Sequence, residues 1–460
     1  MQTSFDLIVI GAGPGGYVAA IRAAQLGMKV AVVEKEACGG ICLNWGCIPT
    51  KALLKSAEVF IEAKNAKAYG VQTGQVKADL APMMQRSRQV ANKMRKGVDF
   101  LLKKHKITVL MGTGYVLDAQ TVQVSTTKTK KTNYKAKHII IATGARAKTI
   151  PPIPLNGKNI IEYRGALSLK QQPKHMLVIG SGALGTEFAY FYHSIGTQVT
   201  LVEALPTILP NEDKDISDYM AQHLKKQGMR ILTRAKVESV QNKGKYCVTN
   251  VGKESIKSDV VLSALGFDAN LEDLCSEALG LHVSQGKIVV DDFYRTNVEG
   301  IYAIGDVIST PALAHVASAE AIICVEHIAG KHPEALNYNN VPACTYCQPE
   351  VASIGYTEAQ AKAKGYTLKI GKFPFSASGK SQANGHEEGF VKTIYDAKYG
   401  ECLGVHMIGH HVTEMIAEIA VARTLETTGE ALMRTIHPHP TMSEALMEAS
   451  AQAYGEAIHL

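Results

Sequence analysis

Near the start of the chain, a short run of apolar residues is typical of a buried strand. It is followed by a segment whose apolar residues have the spacing of a helix, and then by a second apolar run. This pattern predicts strands at Phe5–Ile10 and Lys29–Val33 on either side of a helix. The pattern returns later, with strands at His175–Ile179 and Gln198–Val202 around a second helix. Strands that alternate with helices in this way predict parallel sheets of the α/β class.

The rest of the chain has a different pattern. Between the two copies the spacing predicts a surface helix at Met83–Lys104. From about Val341 the chain mixes strands and helices, which predicts an α+β segment ending in helices near His411–Leu425 and Thr441–Tyr454. Short apolar runs predict further strands at Ile107–Tyr115, Thr121–Thr126, Ala136–Ile141, Asp259–Leu265 and Gly300–Ile304.

A G-x-G-x-x-G loop lies between the strand and the helix of both copies, and an acid follows the first glycine by 23 residues (34 − 11 and 203 − 180). One such motif alone is a weak signal, but here each has the structural context of a dinucleotide site. The first glycine permits a tight turn, the second admits a pyrophosphate, the third allows close helix packing, and the acid can bind a ribose. We therefore predict two dinucleotide sites, formed by Gly11, Gly13, Gly16 and Glu34 and by Gly180, Gly182, Gly185 and Glu203.

Composition and charge exclude some classes of protein. The 460 residues are 46% hydrophobic and carry a net charge of +7. We interpret the one cluster of positive charge as a solvated hairpin and not as a nucleic-acid surface; it consists of Lys128, Lys130, Lys131, Lys135 and Lys137. No apolar run approaches the roughly 18–20 residues of a membrane helix, so we expect no membrane partner. The strand at Phe5 leaves no room for a leader, unless one was removed beforehand.

Cysteine usage points to redox chemistry in a reducing compartment, which we take to be the cytoplasm. Nine cysteines, an odd number, do not suit a secreted disulfide framework. Cys42 and Cys47 lie just before a helix that Pro49 and the following residues begin, and a helix N-terminus favours a thiolate. They form a candidate redox disulfide, although two buried thiols are the alternative. We expect Cys38, Cys344 and Cys347 to be core or spectator thiols, and no zinc site.

A second candidate feature is His437-Pro438-His439-Pro440-Thr441, where prolines hold two histidines in an extended turn. Glu444 follows and begins a helix. A histidine oriented by a carboxylate is a common general base near neutral pH. On its own, the turn favours a structural histidine, but a thiol substrate at the cysteine pair needs such a base.

Together these stretches resemble the flavoprotein disulfide reductases over about residues 5–455. The stretch from Cys42 to Leu54, CLNWGCIPTKALL, is particularly similar to the dihydrolipoamide dehydrogenase branch, and glutathione and mercuric reductases differ there or at the C-terminus. The chain departs from the family's usual Gly-Arg-x-Pro-Asn at Gly266–Asn270, where Phe267 replaces the arginine, and at Cys347, where threonine is common.

The resemblance implies two Rossmann-like dinucleotide-binding domains, for FAD and NAD, and a C-terminal α+β dimerisation domain. The implied ranges are 1–148 for FAD, 149–270 for NAD, 271–340 for a central domain that completes the FAD site, and 341–460 for the interface.

The resemblance also assigns roles to residues. Cys42 would exchange with the thiol substrate, Cys47 would contact the flavin, and His439 with Glu444 would be the base, supplied by the partner subunit of a homodimer. Lys51 and Glu187 would pair beside the flavin. Further cofactor contacts would come from Gly15, Ala142, Thr143, Gly144, Gly266, Asp306, Ala314 and His315.

The implied reaction is oxidation of protein-bound dihydrolipoamide with NAD⁺. Glu203 would repel a 2′-phosphate, and no arginine or lysine lies between Leu205 and Asn211, which favours NAD over NADP. The expected partner is a lipoylated acyltransferase or carrier protein of a 2-oxo acid dehydrogenase or glycine-cleavage complex. A related reductase with another thiol or disulfide substrate, and a non-catalytic FAD-binding scaffold, are the alternatives.

Overall fold

A computed structural model of the protein describes residues 4–127 and 129–460, and this part of the chain forms 24 strands and 13 helices. The strands are β1 Ser4–Ile10, β2 Val30–Glu34, β3 Thr108–Met111, β4 Thr113–Asp118, β5 Thr121–Ser125, β6 Lys131–Ile141, β7 Ala145–Ala147, β8 Ile160–Ile161, β9 His175–Ile179, β10 Gln198–Val202, β11 Arg230–Leu232, β12 Val237–Asn242, β13 Cys247–Val251, β14 Glu254–Ser258, β15 Val260–Ser263, β16 Phe267–Ala269, β17 Val283–Ser284, β18 Lys287–Ile288, β19 Ile301–Ala303, β20 Ala343–Thr345, β21 Glu350–Gly355, β22 Leu368–Pro374, β23 Phe390–Asp396 and β24 Cys402–Gly409.

The last three elements of the chain are helices. In chain order, the helices are α1 Pro14–Gln25, α2 Gly40–Trp45, α3 Cys47–Asn65, α4 Leu80–Lys104, α5 Tyr163–Ala166, α6 Ala183–Ser194, α7 Lys214–Lys226, α8 Ala314–Ile328, α9 Glu358–Ala363, α10 Gly379–Asn384, α11 Val412–Thr424, α12 Gly429–Arg434 and α13 Glu444–Ala453. None of the helices in the described residues is long and apolar enough to cross a bilayer.

One compact unit contains the chain up to Leu53, Ala81–Lys148 and Gly266–Tyr338. Its sheet has the parallel order β3-β2-β1-β6-β19. The first half of β6 also pairs with the antiparallel β5, which in turn pairs with β4. The strand order reverses between β1 and β6, and such a switch point is where open α/β sheets bind ligands. Leu7, Ile8 and Val9 of β1 are all fully buried, as expected of a central parallel strand.

The other unit contains Leu54–Leu80, Thr149–Leu265 and Asn339–Leu460. Its parallel sheet has the order β11-β10-β9-β15-β8, so the strand order reverses between β9 and β15 just as it does between β1 and β6. Strands β12, β13 and β14 form an antiparallel meander. The two copies of the strand–loop–helix motif in the sequence therefore belong to two sheets that show the same reversal of strand order.

The C-terminal part of the second unit is an antiparallel sheet in the order β20-β21-β24-β23-β22, against which α11 and α13 pack. Its core contains Tyr395, Val405 and Met407, all fully buried, with Ile419 of α11 and Ala449 of α13. This architecture confirms the predicted fold class, two Rossmann-like sheets and a C-terminal α+β segment. The four predicted domain ranges stay predictions.

The prediction of one strand at Ile107–Tyr115 is wrong. The run forms two strands, β3 and β4, that are separated by Gly112 at φ +149°. A Cβ at Gly112 would lie 2.6 Å from Ser125 O, so the chain turns there to pair β4 with β5. The lysine cluster lies in the predicted hairpin between β5 and β6, except that Lys128 falls outside the described residues.

Candidate functional site

The first glycine loop connects β1 to α1. Gly11 has φ +103°, and a Cβ there would lie 2.2 Å from Ala142 O at the end of β6. A Cβ at Gly16 would lie 1.8 Å from Gly11 O. A side chain at the first position would therefore push the loop away from β6, and one at the second would push α1 away from the loop. These steric conflicts explain both predicted roles of the glycines. Gly15 lets α1 approach α8, because its Cβ would lie 3.2 Å from Ala317 O.

The second loop, between β9 and α6, repeats this geometry. Gly180 has φ +97°, and its Cβ would lie 2.5 Å from Ala264 O, just beyond the end of β15. A Cβ at Gly185 would lie 2.0 Å from Gly180 O. In both motifs, the first and third residues must therefore be glycine, because a Cβ at either position would collide with a backbone carbonyl oxygen.

The middle glycines have a different environment. Gly13 (φ −69°) and Gly182 (φ −64°) have backbones that any residue can adopt. Among the described residues, a Cβ at Gly182 would meet no atom within 4 Å, and one at Gly13 would meet only Gly40 Cα at 3.9 Å. No side chain caps the N-terminus of α1 or α6 at these residues. Open space before uncapped N–H groups fits the approach of a dinucleotide pyrophosphate.

Glu34 is the last residue of β2 and Glu203 directly follows β10, and each is 8% exposed. Glu34 accepts hydrogen bonds from Ala12 N at 2.9 Å and Glu36 N at 2.7 Å. Glu203 accepts them from Ser181 N at 2.9 Å, Ser181 Oγ at 2.7 Å and Leu205 N at 2.9 Å. These carboxylates therefore hold their own glycine loops, a role that the sequence did not reveal. Their predicted contact with ribose stays a prediction.

The Ala142–Gly144 turn is tied to the loop that departs from the family pattern. Thr143 Oγ1 donates to Asn270 O and Asn270 Nδ2 donates to Thr143 O, both at 2.9 Å. Strands β7 and β16 pair antiparallel beside this turn, and Phe267 of β16 is 37% exposed. The loss of the usual arginine thus leaves the backbone pairing after Gly266 intact.

Asp306 lies in a 3₁₀ turn, Gly305–Val307, directly after β19. Burial raises the pKa of Asp306, and Lys287 opposes that shift. The turn is held by Glu320 of α8, which is fully buried and accepts from Gly305 N at 2.6 Å and from the Tyr338 hydroxyl at 3.0 Å. Sequence reasoning missed Glu320, although an acid in an otherwise apolar helix was a signal. Ala314 and His315 begin that helix.

Cys42 and Cys47 are both half-buried. Cys42 lies in α2 and Cys47 is the first residue of α3, which places the second thiol at a helix N-terminus as predicted. Gly46 joins the two helices, and its Cβ would lie 3.1 Å from Ile41 O and 3.3 Å from Cys42 Cα. The connection therefore folds back tightly onto Cys42, which keeps the two cysteines close.

Most of the remaining cysteines are poor nucleophiles. Burial raises the pKa of the Cys38 thiol to about 12 and those of Cys247 and Cys402 to about 11. Cys347 is buried and Cys344 packs against the C-terminal core. Within residues 4–127 and 129–460, no group of three or more His, Cys, Asp or Glu side chains could hold a metal ion.

His439 and Glu444 form the expected pair. His439 Nδ1 lies 2.9 Å from Glu444 Oε1, and Thr441 N donates to Glu444 Oε2 at 2.7 Å. The His439 side chain is 79% exposed, so its other ring nitrogen faces outward. Although burial opposes it, the hydrogen bonds from Thr441 N and His439 hold the pKa of Glu444 below its usual value. The carboxylate thus fixes the imidazole as a base requires.

Lys51 and Glu187 lie in different units. Lys51 is a half-buried residue of α3. Glu187 is a buried residue of α6, and Tyr346 N donates to its carboxylate at 2.9 Å. Their predicted pairing beside the flavin stays a prediction.

Comparison with known proteins agrees with this geometry. Residues 5–321 match the pyridine nucleotide-disulphide oxidoreductase family, and residues 341–450 match its dimerisation domain. The chain is 49% identical to the dihydrolipoyl dehydrogenase of Zymomonas mobilis and 48% identical to that of Rhizobium etli, with all of both proteins covered.

Solved structures also resemble it. LpdA of Mycobacterium tuberculosis superposes with a TM-score of 0.91 at 25% identity, covering 97% of this chain and 99% of that one. The HOCl-induced flavoprotein disulfide reductase RclA of Escherichia coli superposes with a TM-score of 0.88 at 27% identity, covering 98% and 99%. FAD and NAD are the cofactors of this family, as the sequence predicted. The chain belongs to the pyridine nucleotide-disulphide oxidoreductases.

Proposed function

We propose that the protein oxidises dihydrolipoamide to lipoamide and passes the electron pair to NAD⁺. The observation that carries this proposal is the half-buried cysteine pair, Cys42 and Cys47, at the N-terminus of α3, in a chain whose other thiols are mostly buried and protonated. The relatives with which the chain shares nearly half of its residues carry the name dihydrolipoyl dehydrogenase.

The cysteine pair exchanges disulfides with the substrate. His439 removes a proton from one thiol of dihydrolipoamide, and the thiolate attacks Cys42 Sγ. The bond between Cys42 and Cys47 breaks and Cys47 leaves as a thiolate, which the N-terminus of α3 stabilises. The second substrate sulfur then displaces Cys42 and its proton passes to the Cys42 thiolate that leaves, so lipoamide is released, the protein keeps two reduced cysteines and His439 keeps the first proton. Two electrons have moved from the substrate to the protein.

FAD, when bound, relays this electron pair from the reduced cysteines to NAD⁺. The residues proposed to hold FAD are the first glycine loop, Glu34 and the turn at Asp306, because their open space and uncapped N–H groups fit a dinucleotide. The second loop and Glu203 hold NAD on the same grounds. Glu203 favours NAD over NADP because a 2′-phosphate would meet its carboxylate.

The protein acts as a homodimer in this proposal, and each subunit supplies His439 to its partner's cysteine pair. The dimerisation domain supports the dimer. Large apolar side chains also remain exposed in the C-terminal part: Leu425 is 72% exposed and Ile436 is 95% exposed. Exposed apolar residues of this kind mark interaction surfaces when they lie together. The carrier of lipoamide is a lipoylated acyltransferase or carrier protein, and the reducing cytoplasm suits the buried thiols.

A substrate panel tests the proposal. Purified protein is assayed with lipoamide, glutathione disulfide and Hg²⁺, each with NADH and with NADPH. We expect turnover with lipoamide and NADH. Turnover of another substrate would instead support a related reductase, and a flavin that NADH fails to bleach would support a non-catalytic scaffold.

Cys47→Ser provides the residue-level test, and Cys275→Ser is the matched control because Cys275 is also half-buried but lies outside the motif. The first variant should keep its flavin and lose lipoamide turnover, whereas the control should keep both. Full activity of Cys47→Ser would contradict the assignment.

A further inference from the structure

A second histidine–glutamate pair lies two residues before His439. His437 Nε2 is 2.7 Å from Glu418 Oε1 of α11, and His437 Nδ1 is 2.8 Å from Thr435 O. The side chain of His437 is only 5% exposed, in contrast to the outward-facing ring of His439. The two imidazoles of this turn therefore have different environments.

Both ring nitrogens of His437 face acceptors. A carboxylate and a carbonyl oxygen can only accept hydrogen bonds, and a neutral imidazole has only one N–H to donate. A neutral ring would thus direct a lone pair at an oxygen in a poorly hydrated position, which is costly. The imidazolium form satisfies both contacts, so the geometry itself selects the charged ring.

We propose that His437 is a positioning residue whose permanent positive charge, held by Glu418, fixes the turn of the base and keeps Glu444 ionised. This inference rests on the proposed function, because it assigns His437 a task toward the His439–Glu444 pair. The charged groups that act on His437 are Glu418 from α11 and Glu444 from α13.

The directions of the pKa shifts of His437 and Glu444 support this proposal. The hydrogen bond to Glu418 raises the pKa of His437, and burial opposes that shift. Although burial opposes it, the pKa of Glu444 is lowered by its hydrogen bonds to Thr441 N and His439 and, to a smaller extent, by the charge of His437.

Two variants remove this charge in different ways. His437→Gln replaces the ring by a neutral amide, and Glu418→Gln removes the carboxylate that holds the proton. In His437→Gln, we expect the pH at which dihydrolipoamide oxidation is half-maximal to rise by about half a pH unit to one unit, because the Glu418 carboxylate then lacks its cation and makes the dyad easier to protonate. In Glu418→Gln the shift should be smaller, because the negative charge is lost together with the positive one. Dye reduction by NADH, which needs no thiol base, should keep its rate and so show that the flavin site is intact.

The matched control is His459→Gln. His459 is also paired with a glutamate, since its Nδ1 lies 2.6 Å from Glu448 Oε1, but it is exposed at the C-terminus. This variant should keep the normal pH profile. An unchanged profile in His437→Gln, or an equal shift in Glu418→Gln or in the control, would overturn the proposal.

The charge itself can be observed without turnover. Nuclear magnetic resonance of flavin-loaded protein with ¹⁵N-labelled histidine, with the His437 signal assigned through His437→Gln, reports the protonation of both ring nitrogens. We expect two protonated nitrogens at pH 7; a neutral ring at pH 7 would overturn the inference. An enzyme that fails to oxidise dihydrolipoamide would refute the proposed function, and the resonance result would still decide the charge of His437.

Discussion

The middle glycine of the second loop offers a test in which binding and folding respond differently. Gly182→Ala adds one methyl group to a backbone at φ −64°, a conformation that alanine adopts without strain. Among the described residues, the new Cβ meets no atom within 4 Å. The only thing that this methyl group can obstruct is a ligand that approaches the N-terminus of α6. We therefore predict weaker NAD binding in a normally folded protein.

The two magnitudes follow from the structure. Alanine is poorer than glycine at a helix N-cap but restricts the unfolded chain, and these effects offset each other to within about 1 kcal/mol. A methyl group forced against a bound pyrophosphate costs about 1–3 kcal/mol, as overpacking does elsewhere. This range corresponds to a KM for NAD⁺ raised about 5- to 100-fold, since 1.4 kcal/mol is tenfold.

The assay compares KM for NAD⁺ with the thermal midpoint of unfolding. Gly185→Ala is the matched control, because its Cβ would lie 2.0 Å from Gly180 O, so it should lower the thermal midpoint as well. An unchanged KM in a stable Gly182→Ala protein would refute the placement of the pyrophosphate. A large loss of stability in that variant would refute the steric reasoning.

Three further outcomes test other parts of the account. His439→Gln should depress dihydrolipoamide oxidation by about 100-fold or more, as expected for loss of a general base, while NADH-driven dye reduction persists; an equal fall in both rates would remove the base role. Lys392→Met should lower the free energy of unfolding by about 3–5 kcal/mol, because it leaves the buried Asp213 carboxylate without the lysine that lies 2.8 Å from it. The exposed Lys362→Met is its control and should cost about 1 kcal/mol or less, so equal losses would count against a buried pair. Burial raises the pKa of Glu212 to about 7, so the folded protein holds this proton more tightly than the unfolded chain, and stability should fall between about pH 4.5 and 7. Glu212→Gln should abolish that fall and add up to about 3 kcal/mol at pH 8 in urea titrations, whereas an unchanged pH dependence would exclude this group as its cause.

Parts of the fold could be predicted because their signal is local. The predicted bounds of β9 and β10 are those that the structure has, since buried parallel strands appear as short apolar runs. The glycine loop marks the end of β9, and Glu203 marks the end of β10. The position of Cys47 at a helix N-terminus and the pairing of His439 with Glu444 were also predictable, because each depends on residues close in sequence.

What sequence reasoning missed depends on distant partners. Gly112 interrupts an apolar run only because β4 turns to pair with β5, and pairing across strands leaves no mark at Gly112 itself. Glu418 resembles an ordinary surface acid of a helix, and its importance becomes visible only when His437 is brought beside it. The inward direction of a polar side chain is a tertiary property, which periodicity alone does not encode.

The central claim is that one pair of sulfurs accepts the electrons of dihydrolipoamide, and alkylation mapped by mass spectrometry tests it most directly. Flavin-loaded protein is treated with one equivalent of dihydrolipoamide without NAD⁺, then blocked with an alkylating agent and digested. We expect Cys42 and Cys47 to become alkylated only after this reduction, while the remaining cysteines keep the labelling of the untreated protein. New thiols at Cys344 or Cys347 instead, or no new thiols at all, would contradict the account.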